Sequence, residues 1–159
     1  MCKTCWTVVV ILLIVLLGTV YKFVIEGSTQ QSTDNRLAIQ LTPGEKDLVL
    51  AEMRAFLASV QQITYGVSIK DLKLIATSAR NAGRAAQQGV PGSLMGKLPL
   101  EFKQLGLDTH EKFDLLALDA EQLEDENHSL AQLGSLMQNC VACHATYRLE
   151  AVTAATDSP

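Results

Sequence analysis

The chain has 159 residues and a mass of 17.2 kDa. At roughly 100–200 residues per domain, that allows one domain plus a tail. It is 48% apolar, which excludes a wholly disordered chain. Its formal charge of −4, from 13 Lys and Arg against 17 Asp and Glu, argues against a nucleic-acid binder with a broad basic face. Beyond residue 27, abundant Ala, Leu and Gln with few aromatic or β-branched residues lean helical.

The apolar run from Trp6 to Ile25 carries one charge, Lys22, near its end. It has the roughly 20 residues a helix needs to cross the hydrocarbon core. Val8 to Leu17 show no polar stripe, so the run is not one face of a soluble bundle. A signal peptide with Thr7–Leu17 as its apolar region is the competing reading. No A-x-A site follows it, and Tyr21, Lys22, Phe23 and Ile25 are bulky where cleavage needs small residues. The expectation is an uncleaved anchor over 6–25, with residues 1–5 in the cytoplasm. Lys3 on one side and Lys22 on the other leave orientation weakly encoded. Cys2 and Cys5 have no second ligand pair nearby and read as two ordinary thiols at a membrane surface.

Residues 26–41, GSTQQSTDNRLAIQL from Gly27, are polar and are expected to form a flexible tether. Four helix-start boxes follow: Thr42–Glu45, Ser68–Asp71, Asp108–Glu111 and Ser129–Gln132. They predict helix A over 43–65, B over 69–88, C over 109–126 and D over 130–152. Apolar positions recur at helical spacing: Val49, Met53, Phe56, Leu57, Val60 and Ile63 in A, and Phe113, Leu116, Ala117, Ala120 and Leu123 in C. Helix B offers Ile69, Leu72, Ile75, Ala76, Ala79 and Ala86; helix D offers Leu133, Met137, Cys140, His144 and Tyr147. The stretch Gly89–Leu107 is rich in Gly and Pro and reads as a long crossover. The expected fold is all-α: an antiparallel four-helix bundle over 42–152 with a long B–C crossover. A single N-terminal transmembrane helix precedes it, and a disordered tail over 153–159 follows.

Cys140-Val141-Ala142-Cys143-His144 is CxxCH, the attachment signature of c-type haem. Two thiols add to the two vinyl groups of one macrocycle, so both must lie on one side of it. His144 then turns its imidazole to the iron as proximal ligand. Two free packed thiols beside a chance histidine would tend to oxidise outside the cytoplasm. A zinc site lacks a second CxxC or HxxxH in the folded part. The motif also fixes the orientation, because this chemistry occurs outside the cytoplasm.

The full string is CVACHATYR, residues 140–148, in the last of four expected helices. Here the sequence resembles the class II c-type cytochromes, the cytochrome c′ family and its low-spin, Met-ligated relatives. The resemblance covers about residues 42–152 and includes the pair Tyr147-Arg148 after the motif. It implies one covalent haem c, held by Cys140 and Cys143, with the residue across the iron supplied by helix A. Met53 is the candidate distal ligand; Leu50 or Phe56 over an open site is the alternative. Arg54 and Arg148 are candidate propionate contacts, and Tyr147 a candidate contact on the proximal face. His110 and His128 read as exposed residues at a helix start and in a turn. The resemblance also allows a homodimer through helices A and B.

No catalytic triad, paired-carboxylate site or P-loop is present, so the expectation is an electron carrier rather than an enzyme. It would sit on the inner membrane with its haem domain in the periplasm, or be soluble there if the N-terminal segment were cleaved. Residues beyond 26 carry 11 basic and 16 acidic groups, net −5, which favours redox partner proteins with a basic face. The alternative function is binding of NO or CO at an open distal site.

Overall fold

A computed structural model describes residues 3–152. Cys2 and the expected tail over 153–159 lie outside the described residues. The described chain is mostly helical. Helix α1, Lys3–Val20, continues through a wider π turn, Tyr21–Glu26. Its segment Cys5–Glu26 has a mean hydropathy of 2.8 and no buried residue. It is long and apolar enough to be a membrane span or a signal sequence.

The expected tether is not a simple coil. It carries strand β1, Thr29–Gln31, and strand β2, Leu37–Leu41. They pair antiparallel around a turn in which Asn35 takes a left-handed φ of 65°, a conformation Asn tolerates. Strand β3, Tyr147–Ala151, pairs parallel to β2 from Leu37↔Tyr147 to Leu41↔Ala151. The fold is therefore helical with a three-stranded sheet, not all-α. Ala38, Ile39 and Leu41 on β2 are at most 1% exposed. That burial explains why an apolar LAIQL ends a polar stretch.

Helix α2 spans Pro43–Ile69. Its start matches the expected box: the Glu45 N–H donates to Thr42 Oγ1, and the Thr42 N–H donates to Glu45 Oε2 at 2.9 Å. Its end comes later than expected. Gly66 does not stop it but lets α3 approach closely, since a Cβ there would meet Ile75 Cγ1 at 2.8 Å. Lys70 takes the left-handed position instead, with φ 58°. Asp71 is then the N-cap of α3, Leu72–Asn81, accepting from the Leu74 N–H. The rest of expected helix B is a 3-10 turn, Arg84–Gln87.

The crossover holds a short helix α4, Gly92–Lys97. Helix α5 begins at Leu100 behind Pro99 and runs to Gln122, so Asp108–Glu111 lies inside it rather than at its start. Helix α6, Glu126–Thr146, is capped by Asp125; Ser129 lies within it and donates back to the Asp125 carbonyl. It ends at Thr146 because β3 takes the chain away.

Contacts run α2 to α3, α3 to α5, α5 to α6 and α2 to α6. Between them Ile63, Ile75, Ala79, Phe113, Leu116 and Leu136 form a core with no residue above 1% exposed. Leu57 and Leu123, expected inward, are exposed. A second cluster joins Ile39, Leu41, Val49, Leu94, Leu98 and Tyr147, and so ties the sheet to α2 and the crossover.

Candidate functional site

Cys140, Cys143 and His144 lie at i, i+3 and i+4 on α6, which places them on one face of that helix. All three line one cavity of about 410 Å3 between α2, α5 and α6. Its size falls within the roughly 300–1,000 Å3 of ligand pockets. The α2 wall carries Leu50, Met53, Arg54 and Phe56; the α5 wall carries Phe102 and Leu105. Both thiols are half-buried and His144 is exposed. Burial pushes the Cys143 thiol up to about 11, with Cys140 adding to the shift, and burial raises Cys140 as well.

These features fit a covalently held haem. Two thiols on one helix face, an imidazole beside the second, and an apolar slot opposite are what the group demands. Met53 is half-buried and packs against the cluster that includes Tyr147 and Cys143. Leu50, one turn earlier, lines the same cavity, so both distal candidates are present. Arg54 is exposed on the wall, where a guanidinium can meet an anionic group of a bound ring. Among the described residues, no three His, Cys, Asp or Glu are arranged to hold a bare metal ion.

The other expected contacts lie elsewhere. Arg148 is engaged with Asp34 at 3.5 Å, Glu150 at 3.4 Å and Ser32 Oγ at 3.0 Å, away from the cavity. It carries strand β3, whose register turns its side chain to the β1–β2 turn. Tyr147 is 5% exposed but does not line the cavity. Its ring meets Phe102 edge-on at 5.4 Å, and its hydroxyl donates to Glu101. Burial, with the Glu101 carboxylate next, pushes that hydroxyl up to about 12.

Arg36, Asn139 and Glu52 carry no signal in the sequence, and His110, expected to be exposed, is buried. Arg36 donates through Nη1 to the carbonyls of His144 at 3.3 Å and Tyr147 at 3.4 Å. It thereby satisfies acceptors left open at the end of α6. Its other nitrogens bind Asp34, whose carboxyl is held well below the usual range by the guanidinium. Asn139, next to Cys140, donates to Asp108 at 2.6 Å and Thr109 at 3.1 Å and so pins α6 to α5.

His110 and Glu52 form the other pair. His110 is 1% exposed, not a surface residue, because α5 starts nine residues earlier than its capping-like tetrapeptide suggests. Carbonyls only accept, so Nδ1–H donates to Ala82 at 2.7 Å and Gly83 at 3.1 Å. Nε2 faces Glu52 Oε1 at 3.2 Å, and the Phe56 ring lies against the imidazole at 4.8 Å between centroids, tilted by 57°. Burial alone lowers the His110 pKa, but Glu52 and the two carbonyls outweigh it and raise it above 6.5. His128, expected to be exposed, is half-buried and faces Asp119 at 3.3 Å. Only an i+3/i+4 reading of α2 against a longer α5 would have signalled the Glu52–His110 pair. Comparisons with protein-family models, curated proteins and solved structures find no match.

Proposed function

We propose that the chain is a membrane-anchored, periplasmic c-type cytochrome with one haem, carrying single electrons between respiratory partners. One observation carries the reading: Cys140, Cys143 and His144 converge on an apolar cavity faced from α2 by Met53 and Arg54. We read α2, α3, α5 and α6 as the antiparallel four-helix bundle of the class II cytochromes, and Cys5–Glu26 as an uncleaved anchor.

In this reading Cys140 and Cys143 would hold the ring through two thioethers, and His144 and Met53 would hold its iron. When bound, the haem supplies reversible one-electron exchange. The chain supplies the setting. Phe56, Leu105 and their neighbours keep water from the ring faces, which with axial ligation sets the potential. Arg54 meets a propionate at the mouth. Arg36 and Asn139 fix the two ends of the turn that bears the motif.

Leu50 and Phe56 in the same wall support one rival reading, an open distal site that binds NO or CO. Visible spectra of the haem-matured chain, oxidised, reduced and under CO, decide between them. A low-spin spectrum with a sulfur–iron band, insensitive to CO and lost in Met53→Ala, is the expected result. A high-spin spectrum that shifts under CO transfers the conclusion to gas binding. A chain without covalent haem overturns both.

A further inference from the structure

A second cavity, of about 400 Å3, lies beside the first beneath the crossover. Leu94, Met95, Leu98 and Leu107 make most of its lining apolar. Glu52, Phe102 and Gly106 line both cavities, so one layer of side chains separates them. A Cβ on Gly106 would meet nothing within 4 Å, so glycine keeps that layer thin.

Five polar side chains line this space, Glu52, Gln87, Gln88, Lys103 and His110, and three of them can carry charge. His110 is fixed by two carbonyls and by Glu52 Oε1. The second Glu52 oxygen has no partner among the described residues. Lys103 forms no ion pair among them; its Nζ reaches the Val24 carbonyl at 3.5 Å. Val24 belongs to the apolar segment that ends at Glu26, and the Ser28 N–H donates to Lys97 at 2.7 Å. The wall of this cavity is thus the part of the domain that touches the end of the apolar helix. If that helix spans the bilayer, the cavity lies at headgroup level.

We propose that this cavity binds the ring of a membrane-soluble quinol, and the proposal rests on the anchored electron-carrier reading above. A free carboxylate oxygen accepts from a hydroxyl, and an ammonium donates to one. A neutral ring bearing two hydroxyls satisfies both while its faces fill the apolar slot. A fatty acid does not, because its carboxylate would meet Glu52 in the same space. The isoprenoid tail leaves past Lys103 and Val24 toward the bilayer.

The test uses the full haem-loaded chain in phosphatidylcholine vesicles, kept reduced with ascorbate. A photoreactive azido-quinol is the probe, and labelled peptides are mapped by mass spectrometry. Labelling within 48–55 and 86–107, suppressed by decyl-quinol and not by oleic acid, is the expected result. Ala51→Trp, which fills this cavity from an exposed position and does not touch the other, should cut labelling by about tenfold or more. Lys103→Met should weaken it less. Leu107→Trp replaces Ala51→Trp if that variant fails to fold. Labelling confined to α1, competition by oleic acid instead, or labelling unchanged in the filled variants overturns the proposal. Haem content is read on the same sample. Specific labelling without covalent haem sinks the carrier reading alone, and covalent haem without specific labelling sinks the quinol site alone.

Discussion

The two apolar clusters of this domain are built on opposite plans. Around Phe113 the helices close on each other, and Ile63, Ile75, Ala79, Leu116 and Leu136 are each at most 1% exposed. Around Tyr147 the helices stand apart, a sheet and a crossover plug part of the gap, and two cavities remain. The first cluster is complete without any other molecule. The thiols sit where the two clusters meet, Cys140 packed against the first and Cys143 against the second, beside a cavity left unfilled. The closed cluster is not insulated from the candidate site: Phe56 stacks on Phe113 at 5.6 Å between rings and also lines the cavity.

That contrast can be attacked directly. Phe113→Ala should cost about 3–5 kcal/mol, read from denaturant unfolding, because it opens a hole in a fully buried cluster. In the open half, Arg36→Ala should cost about 1–2 kcal/mol by uncapping α6. It should also broaden the spectrum of the haem-loaded chain. Thr42→Ala removes one cap from α2 and should cost about 1 kcal/mol. Hydrogen exchange should slow at residues 140–144 when haem is attached and change little at residues 113–117, already protected in the closed half.

The smallest effect expected is a dependence on pH. The folded His110 is held above 6.5, so its contribution to stability is present in full below that value. It is lost as pH rises through the raised folded value. The melting temperature of the parent should therefore fall as pH rises through the raised folded value of His110, and the drop should flatten in Glu52→Gln. A parallel pH profile in the two proteins would remove the Glu52–His110 pair from the account.

Of the four helix-start boxes only the one at Thr42 marks an N-cap; Asp71, Pro99 and Asp125 precede α3, α5 and α6 instead. The Thr42 box holds because every partner lies within four residues. The thiols and His144 were identifiable because their spacing is itself the chemistry. The boxes at Asp108 and Ser129 misled, because Pro99 and Asp125 start those helices earlier and the tetrapeptides sit inside them. That shift hid His110, whose burial depends on a longer α5. Strand β2 was taken for tether because its parallel partner lies about 110 residues away in sequence. Arg36 and Arg148 exchanged expectations for the same reason. The arginine beside the motif serves the sheet, and the arginine in the supposed tether serves the motif helix.

The parallel pairing of β2 with β3 also orders events in time. Strand β2 follows the apolar segment and is made early, while β3 is among the last parts of the described chain to be made. Contacts between such distant segments form late in folding. Until then α6 is not anchored by Arg36 or by the sheet, and its two thiols stay open to modification. Once Val152 N–H reaches the Leu41 carbonyl, the end of α6 is tied down and the same thiols line a half-buried cavity. The sheet therefore works as a latch that is shut last, behind whatever has been attached.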